Sequence, residues 1–155
     1  YDELWTEARM RKVIRAAVEN GVALEINAGS GLPRDKFIRL AREMGIFAAE
    51  QQLKGSYQSL VTSFRKDFSA VQSTLIWKSF YRPGRWDVEH SRDGERQVCR
   101  MELSGFQPVA THCANIGGWL QGYFEMAGCR DVKVDKSACV NDGEQACVWL
   151  CGFTV

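Results

Sequence analysis

The sequence predicts an α+β protein: N-terminal helices packed on a roughly four-stranded antiparallel sheet, with one covering helix over about 112–126. Three observations lead there. Apolar residues recur at helical spacing through the first half of the chain. From Arg85 the period drops to two. One further helical stretch then separates two pairs of strands.

The elements follow in order. Over residues 3–20, Leu4, Met10, Val13, Ile14, Ala17 and Val18 share a face, and Asn20-Gly21 supplies a stop. Val22-Ala-Leu-Glu-Ile-Asn27 is short and apolar, a strand or an extended connector. Pro33 suits the first turn of a second helix over 34–53, with Phe37, Leu40, Ala41, Met44 and Phe47 as its buried stripe and Gly45 as a point of interruption. Residues 56–80 again read as helix. Arg85–His90 and Gln97–Leu103 alternate around the turn Ser91-Arg-Asp-Gly94, a hairpin signature. The helix from His112 ends at Gly128. Two strands, 131–136 and 146–153, meet through Asn141-Asp-Gly143.

At 155 residues the chain can bury a full core without disulfides. It reads as a single domain, 1–155, with a helical part over 1–55 and a main core over 56–155. A formal charge of +1 gives no bulk attraction to nucleic acid or anionic membranes, and no stretch approaches the roughly 20 apolar residues of a membrane span. Six cysteines without the short loops of a secreted scaffold point to a reducing, cytoplasmic setting. No leader precedes the first helix, and a chain opening on Tyr1 reads as a trimmed piece.

Three cysteines stand out. Cys113 opens the helix carrying Gly118-Trp-Leu-Gln-Gly122, and Cys139 and Cys147 bracket the Asn141-Asp-Gly-Glu144 turn. Thiolates gathered from a helix start and two strand ends can hold a soft divalent metal. They can equally be small buried apolar residues packing around a turn.

Those residues make about 86–153 resemble the 4-vinyl reductase-like ligand-binding domain, a TRAPP-like fold. Related domains sense phenols and xylenes in bacterial transcriptional activators. The resemblance implies zinc held by three cysteines and a glutamate three residues before the second of them. Mapped here, the cysteines are Cys113, Cys139 and Cys147, and the glutamate position is Lys136. An ammonium has no lone pair for zinc. Asp135 points to the opposite strand face, which leaves His112 or Glu144 as substitutes. A second local likeness, of residues 4–45 to the polymerase and histidinol phosphatase superfamily, implies a metal-ligand role for Glu25. His90 and His112 are the chain's two histidines, too few for the motifs that complete such a centre.

Trp119 and Tyr123 are four apart and share a helix face. With Phe64, Phe68, Trp77, Phe80 and Trp86 they could line a pocket for a flat apolar ligand, or fill a core. Gly117, Gly118 and Gly122 weaken the same helix by roughly 1 kcal/mol each, which implies close backbone packing or space kept for a ligand. Arg34, Arg39 and Arg42 are balanced by Asp35, Glu43 and Glu50 and read as a solvated face. No activated nucleophile, carboxylate pair or phosphate-binding loop is legible. The leading reading is therefore a non-enzymatic sensor of a small hydrophobic or aromatic molecule, signalling through a homodimer or a partner protein. The alternatives are an interaction scaffold with a solid core and a tetrapyrrole-related enzyme or accessory protein.

Overall fold

In the computed structural model the described residues are 8, 11, 12, 15, 16, 33–54, 78 and 84–155. Residues 8, 11, 12, 15, 16 and 78 are helical. Most of the readings over 3–20 and 56–80, and all of Val22–Asn27, lie outside the described residues.

Helix α1 spans Arg34–Leu53 and starts behind Pro33, as the sequence predicts. Strands β1 (Arg85–Asp93) and β2 (Arg96–Ser104) form a hairpin closed by the pair Asp93↔Arg96. Its two-residue loop needs a positive φ at the first position, which Gly94 supplies at 60°. Helix α2 (Ala110–Met126) follows, then β3 (Arg130–Ala138) and β4 (Cys147–Thr154). The four strands form one antiparallel sheet in the order β1-β2-β4-β3.

Helix α2 ends where the sequence says it should. The Gly128 N–H bonds the Glu125 carbonyl at 2.9 Å and the Cys129 N–H bonds the Phe124 carbonyl at 3.0 Å, the paired bonds of a Schellman cap.

Strand alternation sorts the two sheet faces. Trp86, Cys99, Met101, Leu103, Val134, Cys147, Trp149, Cys151 and Phe153 are buried in one core with Ile116, Leu120 and Phe124 of α2. On the other face Arg100 pairs with Glu102 at 2.6 Å and lies 3.9 Å from Glu89, while Leu150 is 38% exposed. β4 is central, and its apolar outer face adjoins this charged surface rather than a second layer among the described residues.

Helix α1 lies across α2 and joins the sheet through it. The buried stripe of α1 differs from the expected one: Phe37, Leu40 and Ala41 are buried, but Gly45, Ala49 and Leu53 replace Met44 and Phe47. The reason is how closely the helices approach. Added at Gly45, a Cβ would run into the Asn115 carbonyl and stand 2.7 Å from the Trp119 nitrogen; at Gly118 it would run into the Arg42 carbonyl. Small residues on both helices therefore form the contact, and Gly45 is a packing position inside an unbroken helix, not an interruption. Met44 and Phe47 are pushed outward, where with Leu40, Glu43, Arg11 and Arg15 they line a shallow cleft of about 100 Å³. Arg11 forms an ion pair with Glu43 there.

Candidate functional site

The three cysteines converge. Cys113 sits in the first turn of α2, its N–H bonded to the Val109 carbonyl at 3.0 Å. Cys139 ends β3 and Cys147 begins β4, joined through a 3-10 turn at Val140–Asp142. The Cys139 carbonyl accepts from Asp142 N at 2.9 Å and Glu144 N at 3.2 Å, closing that turn. The Asn141 amide then donates to the Pro108 carbonyl at 2.8 Å and to Cys139 Sγ at 3.6 Å, tying the turn to the start of α2.

The sulfur separations are 4.0 Å for Cys113–Cys139, 3.7 Å for Cys113–Cys147 and 3.9 Å for Cys139–Cys147, and all three residues are buried. Tetrahedral zinc with bonds of about 2.3 Å sets its sulfurs about 3.8 Å apart. Three vertices of a soft-metal site are therefore in place. No fourth His, Cys, Asp or Glu joins the group among the described residues, and the Lys136 ammonium lies beside it. In the β3–β4 register Lys136 faces Trp149, and its ammonium lies 4.7 Å from the indole centroid. From there it donates to Cys147 Sγ at 3.4 Å. Neither sequence-level substitute, His112 or Glu144, belongs to the cysteine group.

The electrostatics follow from this contact. Burial pushes the Cys113 thiol up to about 12, with Lys136 opposing. Burial also pushes Cys139 up, but the Lys136 ammonium, the bond from Asn141 and that from Cys147 more than offset it, and its value falls below that of an ordinary thiol. Desolvation lowers Lys136, yet the neighbouring cysteine sulfurs outweigh that and raise it above an ordinary ammonium. At the other end of the same sheet face Cys99, opposite Cys151, is pushed up to about 12 by burial; these are packing thiols. None of the six cysteines is in a disulfide.

A cleft of about 290 Å³ opens beside the corner. It is lined by Cys113, Lys136, Cys139 and Asn141 of the corner, by Gly117 and Trp149, and by Arg34, Ile38 and Arg42 of α1. Arg42, expected on a solvated face, turns inward and bonds neutral oxygens, Gln121 Oε1 at 3.0 Å and the Val134 carbonyl at 3.1 Å.

The aromatic residues expected to line a pocket fall differently. Trp86 lies 5.9 Å from Trp149, centroid to centroid. Trp119 and Tyr123 are buried and stacked at 5.6 Å, and Trp119 Nε1 donates to Gln52 Oε1 at 2.8 Å. They belong to the α1–α2 contact and the core, and they line neither cleft described above. Phe64, Phe68, Trp77 and Phe80 lie outside the described residues, as does Glu25. Sequence reading missed Arg42, Asn141 and Trp149 as cleft residues. Lys136, three residues before Cys139, was the available signal, since one strand register suffices to place it over Trp149.

No protein-family model matches the chain, and no curated protein matches it. Solved structures do. A vinyl-4-reductase family protein from Methanocaldococcus jannaschii aligns over 98% of this chain and 99% of its own, at 17% identity and a TM-score of 0.39. The phenol-responsive sensory domain of the transcription activator PoxR, with phenol, aligns over 97% of this chain and 75% of its own, at 15% identity and a TM-score of 0.48. An H-NOX protein from S. oneidensis aligns over 97% and 77%, at 11% identity and a TM-score of 0.46. The 4-vinyl reductase likeness read from residues 86–153 thus recurs among the structural matches. The phosphatase-like reading of residues 4–45 gains no support from these matches. No helix among the described residues is long and apolar enough to cross a membrane.

Proposed function

We propose that this chain is a small-molecule-binding sensory domain, and that its ligand occupies the cleft beside the cysteine corner. One observation carries the reading: three separate parts of the fold, α1, α2 and the β3–β4 corner, surround one cleft and contribute polar groups to it. Its size lies at the small end of ligand pockets, roughly 300–1,000 Å³, which suits an occupant of about one ring. Its chemistry is mixed. Trp149, Ile38, Ala110, Ala114 and Gly117 offer apolar contact, while Arg34, Arg42 and Lys136 outnumber the one carboxylate, Asp142. The ligand class that fits is a small flat molecule with an apolar body and an anionic edge. Binding bridges α1 to the rest, so occupancy favours the conformation in which α1 is docked, and a partner or second copy reads that state.

The test is a thermal-shift panel of benzoate, phenol and toluene on wild type and Ala114→Leu, which fills the cleft from a good helix former. Benzoate at a hundredfold excess over its Kd stabilises by about 2.7 kcal/mol, roughly 5–10 °C for a chain of this size. The reading predicts that shift in wild type, a smaller one with toluene, and none in Ala114→Leu. No shift with any probe, or an equal shift in the variant, contradicts it.

A further inference from the structure

The cysteine corner already contains a cation supplied by the chain. Three sulfurs 3.7 to 4.0 Å apart have the Lys136 ammonium beside them, bonded to Cys147 at 3.4 Å. Its position is fixed from two sides. The strand register sets Lys136 opposite Trp149, and the indole face holds the charge 4.7 Å from its centroid. A divalent ion at the centre of the sulfurs would meet this ammonium as a like charge beside a buried cluster, and would gain no fourth ligand from it.

We infer that Lys136 stands in the metal's place: its ammonium joins Cys113, Cys139 and Cys147 into a metal-free corner and excludes the zinc that three sulfurs with an acidic fourth residue would bind. Two consequences separate this from a vacant metal site. The corner holds its shape without metal, because the Asn141 bonds and the ammonium tie its parts together. Cys139 is buried but borders the cleft, so with no metal on its sulfur a small soft electrophile reaches it from there. With iodoacetamide as the probe, Cys139 Sγ displaces iodide. The S–C bond forms, the C–I bond breaks, and any proton on sulfur passes to buffer.

The inference concerns the corner itself and does not depend on what occupies the cleft. Its test compares wild type, Lys136→Glu and Lys136→Met by zinc competition against a chromophoric chelator and by the cobalt–thiolate charge-transfer band. Iodoacetamide labelling of Cys139 is followed with and without zinc. Lys136→Met keeps the aliphatic stem and serves as the folded control if Lys136→Glu fails to fold without metal. Zinc should bind wild type at least about 100-fold more weakly than Lys136→Glu, reflecting lost repulsion and a gained ligand. Wild-type labelling should be indifferent to added zinc, whereas zinc should protect whichever variant binds it. Stoichiometric zinc in wild type, or equal affinity in all three proteins whether tight or weak, overturns the inference.

Discussion

Replacing Gly118 with alanine should damage this protein, while the same change one residue earlier should strengthen it. Both glycines lie inside α2, where alanine is favoured over glycine by about 1 kcal/mol. At Gly117 the new Cβ would have its nearest neighbours in the Trp149 indole at 3.4 Å and the Arg42 guanidinium at 3.5 Å, ordinary contact distances. Gly117→Ala should therefore stabilise by about 0.5–1 kcal/mol. At Gly118 the Cβ would run into the Arg42 carbonyl oxygen and stand 2.7 Å from its carbon. Relaxed contacts lie near 3.5–4.0 Å, so α1 must retreat by more than about 1 Å to clear the oxygen. A gap of that size forfeits a quarter to a half of the dispersion energy of the contacts it opens. Overpacking of this kind costs about 1–3 kcal/mol, and the lost interhelical contacts add to that, so Gly118→Ala should destabilise by about 2 kcal/mol net of its helix gain. The two variants should differ by about 3 kcal/mol, or roughly 6–12 °C in Tm for a chain of this size. Urea and thermal unfolding read that difference directly. Equal stability of the two variants would refute the backbone-to-backbone packing of α1 on α2.

Two further outcomes follow from individual contacts. Trp119→Phe removes the donor to Gln52 Oε1 while keeping the stack on Tyr123, so stability should fall by about 1 kcal/mol in chemical denaturation with the fold retained. Burial lowers the pKa of His112, which packs edge-on against Phe106. The unfolded chain then holds more protons than the folded one below about 6.5, and stability falls as the pH drops through that value. His112→Gln should reduce that acid-side loss, measured as the difference in Tm between pH 7.5 and 5.5; an unchanged difference would refute the assignment.

Much of the fold was legible because local signals agreed with tertiary ones. Pro33 before a helical period and Gly128 after α2 each mark a boundary the backbone respects, whereas the turn read over Ser91–Gly94 tightens to Gly94-Glu95 because Ser91–Asp93 continue β1. The grouping of Cys113, Cys139 and Cys147 was implied by the 4-vinyl reductase-like resemblance, and the three sulfurs do lie together. What sequence could not show was how close α1 comes to α2. Periodicity favoured Met44 and Phe47 as buried, but the partner helix presents backbone at Gly118, and only small residues meet it. Arg42 was hidden for a similar reason: nearby acidic residues balanced its charge, while its acceptors, Gln121 and Val134, are distant in sequence. Lys136 was legible as a missing metal ligand, but its placement over Trp149 required the strand register.

The cleft at the cysteine corner is tested most directly by amide and indole NMR of the labelled protein during titration with benzoate. Shifts should concentrate at Gly117, Asn141 and the Trp149 indole N–H, which border the cleft. The Trp119 indole, bonded to Gln52 in the helix contact, should stay nearly still. Saturable shifts centred on Trp119 and Tyr123 instead, or no saturable shift at all, would contradict the placement of ligand beside Cys113, Cys139 and Cys147.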